Sequence, residues 1–121
     1  MEKSSKLVIG SIVIRVENLE RQSKFWCAAL DLSERIDNST DFKLLAPRSG
    51  IGPNISLDLQ KSERIIPPRI HLDLYSDNQE IEVARLEKLG AKRFNWENQP
   101  KDSDFVIMED PEGNRFCVIQ K

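Results

Sequence analysis

A repeated pattern constrains this 121-residue chain more than any other feature of it. Ser11-Ile-Val-Ile-Arg-Val-Glu-Asn18 lies over His71-Leu-Asp-Leu-Tyr-Ser-Asp-Asn78 at an offset of 60. Asp41-Phe42 matches Asp104-Phe105 at 63, and Gln60-Lys61 matches Gln120-Lys121 at 60. Each copy is one supersecondary unit, and a fixed period of this kind fixes architecture before any single residue is weighed. Two copies are too few for a solenoid, so the pattern predicts two modules sharing one sheet.

Local signals supply the contents of each module. Leu7–Val16 is rich in Val and Ile and reads as a strand. Asn18 reads as the N-cap of a helix over Leu19–Leu30, with Phe25, Trp26, Ala29 and Leu30 as its buried stripe. Strands are predicted near Ser33–Asp37, Asp41–Ala46 and Ile55–Gln60, the last from its alternation of apolar and polar residues. Pro47–Pro53 is a turn by its Gly and Pro content. Lys61–Arg69, with Pro67-Pro68, reads as a linker. The second cycle starts with a strand at Ile70–Tyr75. A capping box of Asp77 and Glu80 then opens a helix that Gly90 closes. Strands at Ala91–Trp96, Phe105–Glu109 and Arg115–Gln120 complete it, the last two joined by the turn Asp110-Pro-Glu-Gly-Asn114.

Composition excludes several roles. Eighteen Lys and Arg against twenty Asp and Glu leave a net charge of −2, which gives no electrostatic footprint for nucleic acid or an anionic membrane. The longest apolar run, Leu7–Ile14, is broken by Gly10 and Ser11 and is far short of a bilayer span. Lys3 and Lys6 precede it as in a secretory leader, but no small-x-small cleavage site follows. Cys27 and Cys117 make neither a disulfide framework nor a zinc ribbon, so two free thiols in a cytoplasmic protein are expected.

The module order and four stretches resemble the vicinal oxygen chelate superfamily of glyoxalases, bleomycin-resistance proteins and extradiol dioxygenases. The stretches are Val13-Ile-Arg-Val-Glu-Asn-Leu-Glu20, Phe25-Trp-Cys-Ala-Ala-Leu30, His71-Leu-Asp-Leu74 and Asp110-Pro-Glu-Gly-Asn-Arg-Phe116. They reach across nearly the whole chain, and the small glyoxalase-like group is the most similar. The resemblance implies one α+β domain over residues 1–121. Its two βαβββ modules, about 7–61 and 70–121 with a linker about 62–69, would form an open, curved, eight-stranded mixed sheet with the helices on its outer face. Fold alone does not fix chemistry.

Metal-dependent members hold a divalent ion with four positions, two per module. Carried onto this chain, these fall on Ser11, His71, Cys117 and a fourth position that is Asp58 or Leu57 according to the alignment used. Asp58 is preferred, because Leu57 and Leu59 then face the helices; a one-residue slip reverses this. A serine hydroxyl is a weak ligand, and Cys in place of the usual Glu makes a hard site mixed. The resemblance therefore implies a degraded metal site and no metal cofactor, although zinc accepts His, Cys and Asp with water as a fourth ligand.

The remaining residues are weighed on their own chemistry. His71, the sole histidine, reads either as a ligand-contacting base or as a structural imidazole. Asp73 shares its strand face and can orient it. Cys117 is reactive only if Arg115 or another cation stabilises a thiolate, and is otherwise a small buried hydrophobe. Trp96 closes one end of the cleft or serves a dimer contact. The expected function is binding of a small organic molecule by Ser11, Asp58, His71, Asp73, Trp96 and Cys117 in a homodimer implied by resemblance. The alternative is a metal-dependent lyase, isomerase or dioxygenase. A non-catalytic regulatory domain is the third reading.

Overall fold

Val and Ile crowd the pleated positions of the first strand, and each half of the repeat builds the same succession of elements around them. A computed structural model describes residues 7–35, 39–60, 69–95, 97, 99 and 101–121. In chain order they form β1 (Leu7–Val16), α1 (Leu19–Leu30), β2 (Leu32–Glu34), β3 (Phe42–Pro47) and β4 (Asn54–Leu59), then β5 (Ile70–Ser76), α2 (Gln79–Lys88), β6 (Lys92–Arg93), β7 (Phe105–Glu109) and β8 (Arg115–Gln120). The strands belong to one open mixed sheet in the order β2-β3-β4-β1-β5-β8-β7-β6. The predicted α+β class with two βαβββ modules is what the chain adopts.

Two compact units emerge, Ser11–His71 and residues 7–10 together with Leu72–Lys121. The first unit pairs β1 with β4 in parallel, and β4 with β3 and β3 with β2 antiparallel. Its core joins Val16, Leu32, Leu45, Ile55 and Leu57 to Ile12, Ile14, Leu19, Trp26 and Cys27. Burying these apolar side chains is the main force holding α1 on the sheet, at about 1.5–3 kcal/mol for each large one. Asn18 caps α1 by accepting from the Arg21 N–H at 2.9 Å, as predicted.

The buried stripe of α1 differs from the expected one. Phe25 is 59% and Leu30 51% exposed, and Ala29 is exposed as well. Leu19, Ser23, Trp26 and Cys27 face the sheet instead, and at 100° per residue Phe25 lies nearly opposite Ser23. A hydrogen bond from the buried Ser23 hydroxyl to the Glu34 carboxylate on β2 accompanies this rotation. Lys43 on β3 reaches the other carboxylate oxygen at 3.1 Å. The hydroxyl and the ammonium together hold the Glu34 carboxyl below its usual range.

In the second unit β5 runs parallel to β8, β8 antiparallel to β7, and β7 antiparallel to β6. Val83, Met108 and Val118 are buried with Leu7, Leu86, Ala91, Val106 and Phe116 packed against them. Two local expectations are corrected here. Asn78, not Asp77, caps α2: its side chain accepts from the Ile81 N–H at 3.4 Å, so the Asp77–Glu80 capping box does not form. β6 is confined to Lys92–Arg93 rather than Ala91–Trp96, although Phe94 still donates its N–H to the Ile107 carbonyl at 2.8 Å. Gly90 closes α2 at φ 114° and Gly113 turns β7 into β8 at φ 91°, the left-handed backbone that glycine tolerates. Most of the predicted linker, residues 61–68, lies outside the described residues.

Candidate functional site

β1 places Ser11, Val13 and Arg15 on the sheet face opposite Ile12, Ile14 and Val16, which pack under α1. β4 does the same for Ser56 and Asp58, since Ile55 and Leu57 belong to the core. The ambiguity between Asp58 and Leu57 therefore has a structural reading. Leu57 lies fully buried on the helix side, while Asp58, buried too, lies beside Arg15 in the β1–β4 register. Ser11 is completely buried. Its hydroxyl is 2.5 Å from the Ser56 hydroxyl and also donates to the Asn54 carbonyl at 3.3 Å.

β5 presents His71, Asp73 and Tyr75 on one face by alternation, and β8 sets Cys117 directly across from Asp73. Ligand atoms of His71, Asp73 and Cys117 all lie within 4.8 Å of one another. His71 and Asp73 are half-buried, and Cys117 is 2% exposed. Burial raises the Cys117 thiol far above its ordinary range, and the negative charges of Asp73 and Asp104 push it further in the same direction. Its S–H donates to Asp73, which also favours the neutral form. The cation proposed for thiolate activation is engaged elsewhere: the Arg115 guanidinium sits 3.9 Å over the Phe94 ring and 3.4 Å from Glu109. Cys117 is thus a protonated donor in this setting, not a thiolate nucleophile.

The two modules can be compared strand by strand. Asp73 faces Cys117 across β5 and β8, and Val13, the Asp73 counterpart in the repeat, faces Ser56 across β1 and β4. Ser56, 61 residues before Cys117, is therefore the first-module counterpart of Cys117. Leu57 likewise matches Val118, each buried in its own unit's core. Asp58 shares the face but lies one step beyond the equivalent position. Sequence reasoning missed Ser56 because the apolar-acid-apolar context pointed to Asp58 and the Gln-Lys ends to Leu57, while the ladder register sets the offset at 61.

This equivalence decides how a superfamily-type metal would fit. Ser11 and Ser56, the register equivalents of His71 and Cys117 in the first module, are neutral hydroxyls bonded to each other. A hard divalent ion prefers carboxylate and carbonyl oxygens, and neither hydroxyl supplies the anionic charge that offsets ion dehydration. The Ser11–Ser56 pair does not fit such an ion. The His71–Asp73–Cys117 group is a separate N, O, S set with a softer character.

Tyr75 lies two residues beyond Asp73 on the same face of β5. Its ring lies against Gly10, where an added Cβ would be 2.2 Å from the ring, and the Lys121 ammonium sits 4.4 Å over the ring. Trp96, expected at one end of the cleft, lies outside the described residues. Among the described residues no helix is long and apolar enough to cross a membrane.

Comparison with known proteins agrees with the fold and the module order. A structure described as an NAD-dependent benzaldehyde dehydrogenase from Legionella pneumophila is 17% identical, with a TM-score of 0.66, covering 91% of this chain and 96% of that one. A methylmalonyl-CoA epimerase from Mycobacterium tuberculosis is 16% identical with a TM-score of 0.64, covering 99% and 92%. A variant of homoprotocatechuate 2,3-dioxygenase from B. fuscum is 15% identical with a TM-score of 0.61, and the match covers 97% of this chain but 33% of that one. At these identities the likeness is one of fold. No curated protein matches the chain. The model of the glyoxalase-like domain matches residues 11–119. The chain belongs to the glyoxalase-like domain family.

Proposed function

We propose that this protein binds a small organic molecule on the sheet face that bears His71, Asp73 and Cys117, without a tightly held metal ion. The observation behind this reading is the Ser11–Ser56 hydroxyl pair. By the ladder register it occupies the first-module equivalents of His71 and Cys117, and its two hydroxyls bond to each other. In the second module the thiol keeps its proton. What remains is a base, a carboxylate and a thiol donor on one face, which suits hydrogen bonding to a polar organic group. Ser11 and Asp58, with Trp96, are proposed as further contacts, and a cytoplasmic homodimer is the proposed state.

The test is a thermal-shift screen of a fragment library run with and without EDTA. Stabilising fragments with unchanged shifts in EDTA, lost on His71→Ala or Asp73→Asn, are expected. A library without a single hit, or hits that need added metal, contradicts the proposal.

The His71–Asp73–Cys117 group favours a second reading, a metal-dependent lyase, isomerase or dioxygenase. One imidazole, one carboxylate and one thiolate match a catalytic zinc with water as fourth ligand. Such an ion would act as a Lewis acid on adjacent substrate oxygens. Binding would have to expel the Cys117 proton against the burial and charge that hold it. Calorimetric titration with zinc separates the readings: tight one-to-one binding lost in Cys117→Ser supports the second, and absence of binding supports the first.

A further inference from the structure

The Tyr75 ring is held between two unlike neighbours. One face lies on Gly10, where even a methyl group would collide with it. Over the ring, at 4.4 Å, is the Lys121 ammonium, on an exposed residue whose backbone N–H is tied to the Ser76 carbonyl at 2.8 Å. An aromatic face attracts a cation through its quadrupole, and the attraction grows as water is removed. Asp73 is two residues back on the same face of β5, about 7 Å along a strand. Its carboxylate faces Cys117 across β5 and β8.

Resting on the small-molecule reading above, we propose that Asp73 and the Tyr75 ring form a subsite for an organic ammonium group, with the Lys121 ammonium as its internal occupant. The ligand class is an amine cation attached to an apolar or aromatic body. The ammonium N–H groups donate to Asp73 while the charge rests over Tyr75. A bare lysine ammonium is compact and strongly hydrated, whereas an arylalkyl ammonium brings apolar surface to the same ring. The ligand therefore displaces Lys121, which swings into water on its flexible stem. A carboxylate in the same place would meet Asp73 and the ring's negative face, and is rejected.

Tyr75 is the single tyrosine of the chain, so ring-labelled tyrosine gives one NMR reporter for this subsite. Benzylamine, benzyl alcohol and benzoate are titrated in turn at pH 7. Benzylamine is expected to shift the Tyr75 ring signals saturably and to bind at least about tenfold tighter than benzoate. Asp73→Asn should weaken it about tenfold, and Lys121→Ala should tighten it a few-fold by removing the internal competitor. Benzoate binding as well as benzylamine, or Lys121→Ala leaving benzylamine affinity unchanged or weaker, overturns the proposal. If benzyl alcohol or benzoate binds near Tyr75 while benzylamine has no advantage, the small-molecule reading stands and the ammonium subsite falls. If none of the three probes moves Tyr75, the subsite falls as well, and the fragment screen alone decides the broader reading.

Discussion

Gly10 shows what a single missing side chain permits. Its α-carbon lies so near Tyr75 that an alanine Cβ would sit 2.2–2.3 Å from three ring atoms. The ring or the strand must then move. Gly10→Ala is predicted to destabilise the protein by about 1–3 kcal/mol, measured by urea unfolding. Gly10→Ala combined with Tyr75→Ala should lose less than the sum of the two single losses, because the clash disappears with the ring. A fully additive result would mean the collision is not the cause. The cysteines give a second residue-scale test. Cys27 is half-buried and Cys117 buried with its thiol held neutral. At pH 8 one thiol per chain, Cys27, is predicted to react readily with a disulfide reagent, and the other only on unfolding. Fast modification of Cys117 in the native protein would contradict its protonated, buried setting. His71, Asp73 and Cys117 were legible in the sequence because the resemblance and strand alternation both pointed to one face. Ser56 was not, because serine in a strand has no pattern of its own and the register that pairs it with Ser11 is a long-range property.

Elements were read well where a local cause acts alone and less well where two causes compete. The bounds of β1, α1, β7 and β8 follow from β-propensity, an Asn cap and a Gly-bearing turn. At α2 two adjacent cap residues compete, and Asn78 prevails over Asp77. Asn78→Ala should cost about 1 kcal/mol, whereas Asp77→Ala should stay within about 0.5 kcal/mol, compared by thermal or urea unfolding. Equal losses would restore the capping box. The rotation of α1 was not legible, since Phe25 and Trp26 are both apolar and only the tertiary bond between Ser23 and Glu34 accompanies the one that turns inward. That bond has a pH signature. The folded Glu34 carboxyl is lowered from 4.5, so its contribution is present above that value and is lost as the pH falls through the lowered one. Glu34→Gln is predicted to make stability less dependent on pH below about 4.5, by a small amount because the side chain is 45% exposed. An unchanged acid limb would show that the Ser23 and Lys43 contacts to Glu34 do not bias its protonation.

For the molecule as a whole, the duplicated pattern was the decisive sequence signal. Two strand–helix–three-strand modules with parallel β1–β4 and β5–β8 pairs are what a repeat of this kind builds when each copy needs a helix to cover its apolar face. The duplication also lets one half be compared with the other. One half carries His71 and Cys117; at the register-equivalent positions the other carries two serines that bond to each other. Element analysis of the intact protein, expressed with Zn, Mn, Fe, Ni and Co available and purified without chelator, tests this most directly. Less than about a tenth of an equivalent of any of these metals is expected. Close to one equivalent, retained through gel filtration and lost in His71→Ala, would contradict it.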